Sequence, residues 1–113
     1  MARRTRLVWW LVGLAGVVVV TYAPVGQFDF VNWDDNSYVT ENQHVLGGLT
    51  PSSVAWAFTS TDAPYWHPMS WLSHLVDVEL FGLDAGGHHV TSAAIHLLNT
   101  LLLFGVLVSL TGA

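Results

Sequence analysis

Two carboxylates stand side by side at Asp34 and Asp35, within residues 28–38, FDFVNWDDNSY. An adjacent acidic pair can do two kinds of chemistry. One carboxylate can act as a general base and take the proton of a hydroxyl nucleophile. Repulsion from a second carboxylate and an apolar surrounding each favour the protonated form, which makes a stronger base. Alternatively, the pair can hold a divalent cation such as magnesium or manganese through its oxygens. The plain structural reading is a turn, because Asp, Asn and Ser are turn formers. The residue types alone leave these roles open.

The histidines form the second set. His67, Ser70, His74 and Asp77 recur at helical spacing and share one face, as do His89, Ser92, His96 and Asn99. Imidazole can donate a hydrogen bond or carry positive charge. His67 and His89 are therefore candidates for an anion site, with His74, His96 and Asn99 on the same stripes. The structural reading is that these polar stripes hold helices together. A histidine metal site is disfavoured. On one helix His67 and His74 lie about two turns apart, roughly 10 Å. His74 and Asp77 suit a simple hydrogen bond. His88 and His89 point to different helix faces, and no zinc-ligand spacing is present.

The elements that must position these groups are apolar. Residues 7–25, LVWWLVGLAGVVVVTYAPV, carry no charge and can cross a hydrocarbon core of about 30 Å as a helix. Trp9, Trp10 and Tyr22 suit its two interfaces, and Pro24 marks its end. Arg3, Arg4 and Arg6, within residues 1–6, place the N-terminus in the cytoplasm. A cleaved signal peptide competes with this reading. Thr21-Tyr22-Ala23 followed by Pro24 makes a poor cleavage site, however, which favours an uncleaved anchor. Residues 90–110 form the second expected span, and residues 111–113 the end of the chain. Its polar stripe needs protein or a watery cavity to face, so it expects further helices.

Residues 26–89 then form an outer loop, periplasmic or extracellular. Thr50 followed by Pro51 predicts a helix start, with the helix running over residues 52–58. His67-Pro68 predicts a longer apolar helix to Phe81, stopped by Gly82. This helix suits the membrane interface or packing against other spans. Residues 59–64 read as a turn-forming linker and residues 84–87 as a flexible break. The expected fold is an all-α membrane protein, with two spans joined by a loop carrying two juxtamembrane helices.

Composition agrees. Of 113 residues only 10% are charged, against about 25% in ordinary soluble domains. The net charge of −5 argues against a nucleic-acid partner, which would require cations to neutralise phosphates. The chain has no cysteine, which excludes disulfides and thiolate chemistry.

Four blocks in order carry a resemblance: FVNWDDNSYVTEN, LTPSSVAWAFTS, WHPMSWLSHLVDVELFGL and GHHVTSAAIHLLNTLLLF. They resemble the start of bacterial polytopic C-type glycosyltransferases that carry tetratricopeptide repeats. That family is similar to the transmembrane and tetratricopeptide-repeat O-mannosyltransferases and, more distantly, to protein O-mannosyltransferases. The resemblance implies a bundle of many membrane helices whose first outer loop is structured. It implies a polyprenyl-phosphate-linked sugar donor, an acceptor hydroxyl on a protein or glycan, and transfer at the outer face of the plasma membrane. It also implies that the acidic motif, here Asp34 and Asp35, is catalytic, with Asp34 as the base. On this resemblance the chain is the N-terminal part of a larger multi-span enzyme and is expected to be inactive alone. The alternative is a small two-span membrane protein whose outer domain binds a partner without catalysis.

Overall fold

A computed structural model describes residues 2–112. These residues are mostly helical, with connecting turns and loops and no strand among them. They divide into two compact units. One gathers the chain up to Gly26 and from His89 onward; the other is Gln27–His88.

The first unit is built on two long apolar helices. Helix α1, Ala2–Tyr22, runs into a 3-10 segment, Ala23–Gln27. Helix α5 spans Ala85–Thr111, and its residues from His89 onward belong to this unit. Each stretch is long and apolar enough to cross a membrane. The two run antiparallel. The Arg3 guanidinium donates to the Gly112 carbonyl at 3.1 Å near one end. At the other end the Tyr22 ring meets His96 edge-on at 5.2 Å. Most of their large apolar side chains, Trp9, Trp10 and Leu102 among them, are exposed.

α1 starts earlier than the apolar run, because arginine is a good helix former and hydropathy marks only the apolar part of a helix. α5 also starts earlier. The expected break at residues 84–87 is instead the start of this helix. Asp84 caps it, its side chain accepting the Gly87 N–H at 3.1 Å.

The second unit has a small core of its own. Val45, Ala57, Trp71 and Leu75 are buried together, and Tyr38, Trp56, Leu72 and Val78 pack around them. Three helices and one turn supply these residues. Helix α2, Gln43–Leu46, is capped by Asn42, whose side chain accepts the N–H groups of His44 and Val45. Helix α3, Pro51–Thr59, begins with a reciprocal box. The Thr50 hydroxyl accepts the Ser53 N–H at 3.0 Å, and the Ser53 hydroxyl accepts the Thr50 N–H at 2.9 Å. Helix α4, Pro68–Phe81, starts with proline in its first turn, where a missing N–H costs nothing. It stops at Gly82, whose φ of 59° and ψ of −127° favour a residue without a Cβ. The α3 and α4 starts and the Gly82 stop agree with the sequence expectation.

Candidate functional site

The acidic pair opens a helical turn that continues as a π-helix, Asn36–Thr40. Side chains hold this turn in place. The Asp35 carboxylate accepts the Val31 N–H at 2.7 Å. The Asn36 amide donates to Asn32 and to Glu41, each at 3.0 Å. The Asn42 amide donates to the Ser37 carbonyl at 3.1 Å. Wide turns of this kind are rare and recur at functional sites. The two carboxylates are not equivalent. Asp35 is half-buried and engaged with the backbone, whereas Asp34 is exposed. The apolar shielding expected around the pair is therefore not provided to Asp34 by this unit.

From the same turn Tyr38 reaches the polar stripe of α4. Its ring stacks on Trp71 at 5.0 Å and on His67 at 5.6 Å, and meets His74 edge-on at 6.0 Å. His67 in turn stacks on Trp71 at 4.9 Å. These faces bury the His67 ring, and neither of its nitrogens has a hydrogen-bond partner among the described residues. Trp56 extends the array, tilted against Trp71 at 4.8 Å and stacked on His44 at 4.6 Å.

Beneath this array lies a second group. His74, Asp77 and His88 each offer one ligand atom, and these atoms lie within 4.8 Å of one another. Asp77 is 2% exposed and His88 is 5% exposed. His88 comes from the first turn of α5, which Gly82 and Gly87 let fold back against α4. A Cβ on Gly87 would lie 2.4 Å from the Phe81 ring, so only glycine permits that approach. The His88 Nε2 lies 2.9 Å from the Gly82 carbonyl. Its Nδ1 lies 3.9 Å from an Asp77 oxygen, beyond hydrogen-bond reach. Phe30 meets the His88 ring edge-on at 5.1 Å. The segment that bears the acidic pair therefore touches this cluster at two rings, Phe30 on His88 and Tyr38 on His74.

Burial pushes the His74 imidazole below its ordinary pKa of 6.5. The Asp77 charge opposes this, His88 adds to it, Asp35 opposes it more weakly, and His67 adds the smallest contribution.

The remaining expected residues lie elsewhere. His89 and His96 share a groove in the first unit with Tyr22, Val25, Ser92 and Ala93. Asn99 is exposed on the same helix. The sequence paired His74 with Asp77 but gave His88 no link to them, whereas the fold brings the three together. The signal that could have found this was the glycine at residues 82, 86 and 87, which permits a tight helix–turn–helix return. Among the described residues, three metal-ligating side chains meet at His74, Asp77 and His88, and not at the acidic pair. No protein-family model, curated protein or solved structure matches the chain.

Proposed function

We propose that the chain is the N-terminal part of an integral membrane glycosyltransferase, acting within a larger multi-span bundle. The enzyme transfers a sugar from a polyprenyl-phosphate donor to an acceptor hydroxyl of a protein or glycan. On this reading α1 and α5 span the plasma membrane with the N-terminus cytoplasmic, and residues 26–89 lie at the outer face. The family resemblance of the four sequence blocks supports it, as do two helices apolar and long enough to span.

The observation that carries the reading is the division of labour within the acidic pair. Asp35 is tied to the Val31 N–H, while Asp34 is left exposed on the helical turn that leads into the π-helix. In the reaction, the Asp34 carboxylate takes the proton of the acceptor hydroxyl. The acceptor oxygen forms its bond to the anomeric carbon as the bond from that carbon to the phosphate oxygen breaks. Polyprenyl phosphate leaves with the electron pair, and the anomeric centre inverts. General-base catalysis contributes about 10²- to 10⁴-fold in rate.

The two aspartates separate in a paired test, made in the full reading frame that contains this chain. Asp34→Asn should lower sugar transfer by at least about 100-fold and leave the unfolding temperature unchanged. Asp35→Asn should lower both, because it weakens the charge-assisted bond to Val31. Full transfer activity in Asp34→Asn would remove Asp34 from the chemistry.

A further inference from the structure

The cluster beneath the aromatic array has the chemistry of a metal centre, independently of whether the chain transfers sugar. Among the described residues, Asp77 Oδ1, His88 Nδ1 and His74 Nδ1 are all buried without a hydrogen-bond partner. A buried carboxylate with an unpartnered oxygen is costly unless a cation meets it. Beside it, the Gly82 carbonyl decides that Nε2 of the His88 ring carries a proton. That carbonyl can only accept, so Nε2 carries the proton in the 2.9 Å contact. When the ring is a ligand, its other nitrogen, Nδ1, offers a lone pair, and it lies 3.9 Å from an Asp77 oxygen. Metal-ligating histidines commonly show this outer arrangement, with the non-ligating N–H donated to a backbone carbonyl.

We propose that His74, Asp77 and His88 form a binding site for one divalent transition-metal ion, zinc foremost. Two imidazoles and one carboxylate, with a fourth position open, are a zinc ligand set that keeps room for water or an anionic oxygen. The same donors suit other first-row divalent ions, and the chain has no thiolate to favour softer ones. The geometry is near closure. The ligand atoms lie within 4.8 Å of one another, against about 3.3 Å between donors in a tetrahedral zinc site. Binding an ion requires His74, Asp77 and His88 to draw their donors together by that difference. Phe30 and Tyr38 cover the histidine rings, so the ion would also tie the acid-bearing segment to α4 and to the start of α5. The cluster is separate from the acidic pair, to which the sequence reading assigned any metal.

The test is metal binding by the full chain in detergent micelles, stripped with chelator and titrated with zinc alone against a chromophoric competitor. One zinc per chain should bind with a dissociation constant below about 1 μM. His88→Gln and Asp77→Asn should each weaken it by at least about 100-fold, since even outer-shell changes cost 10- to 100-fold. His44→Gln and His96→Gln, at exposed positions, should leave it unchanged. X-ray absorption of the zinc-loaded wild type should show two imidazoles with oxygen completing the shell. This measurement decides the matter even where a variant fails to fold. Absence of binding in the wild type would overturn the site. So would binding unchanged in folded His88→Gln and Asp77→Asn, or a metal shell without two imidazoles.

Discussion

Gly87→Ala measures how tightly the start of α5 must press against the end of α4. The added Cβ would lie 2.4 Å from Phe81 Cγ and 2.8 Å from both Phe81 Cβ and Cδ1. The ring can swing away, but Phe81 Cβ moves only with its backbone. Raising 2.8 Å to an ordinary contact of 3.4 Å requires the two helix ends to part by about 0.6 Å, or to tilt by as much. Overpacking of this kind costs about 1–3 kcal/mol. Alanine's better helix propensity returns about 1 kcal/mol. The net expectation is a loss of about 1 kcal/mol, with the overlap winning because backbone must move. Gly47→Ala is the control in the same unit. Gly47 has φ −73°, and nothing lies within 4 Å of an added Cβ. It should therefore stay within about 0.5 kcal/mol of the wild type. Chemical unfolding in micelles, followed by tryptophan fluorescence, to which buried Trp71 contributes, gives both numbers. A Gly87→Ala protein as stable as Gly47→Ala would refute the close approach, and with it the position of His88 beside Asp77.

Three further outcomes follow from the same geometry. Leu75→Ala should destabilise the second unit by about 2–5 kcal/mol, because Leu75 is 0% exposed at the centre of its core; unchanged unfolding would mean that core is absent. In the presence of chelator, acidification should weaken this unit through His74, whose folded pKa lies below its ordinary value of 6.5. The stabilising contribution is complete above pH 6.5 and is lost as pH falls through the lowered folded value, so unfolding temperature should drop with pH in the wild type and drop less in His74→Gln. Thr61→Cys, in an exposed connection of a chain with no other cysteine, should react with a membrane-impermeant thiol reagent added to intact cells; reaction only after lysis would invert the proposed topology.

Local signals were legible wherever the physics is local. Thr50-Pro51 announces α3 because a hydroxyl cap and a proline act on their own turn. Gly82 announces the end of α4 because its backbone conformation needs glycine. The start of α5 was misread for the same reason: Gly86-Gly87 has low helix propensity, and the overriding contact with Phe81 is tertiary. The short helix after Asn42 and the π-helical turn were not foreseen. Their side-chain ties, Asn36 to Glu41 and Asn42 to Ser37, depend on geometry that spacing does not reveal. Within the site, the stripe of His67, His74 and Asp77 was visible as a helical period. The partner that completes the cluster was not, because His88 reaches it through a turn between two helices. Likewise the inequality of Asp34 and Asp35 arises from one backbone hydrogen bond that no residue pattern encodes.

On the proposed reaction, Asp34 is the base in sugar transfer. Its most direct measurement uses the full reading frame, purified in membranes, with a radiolabelled polyprenyl-phosphate sugar and hydroxyl-bearing acceptors. The expected result is a glycosylated product whose anomeric configuration is opposite to that of the donor, reduced at least about 100-fold by Asp34→Asn. Absence of transfer from every such donor, retention of the donor's configuration, or undiminished product from the Asp34→Asn protein would contradict it.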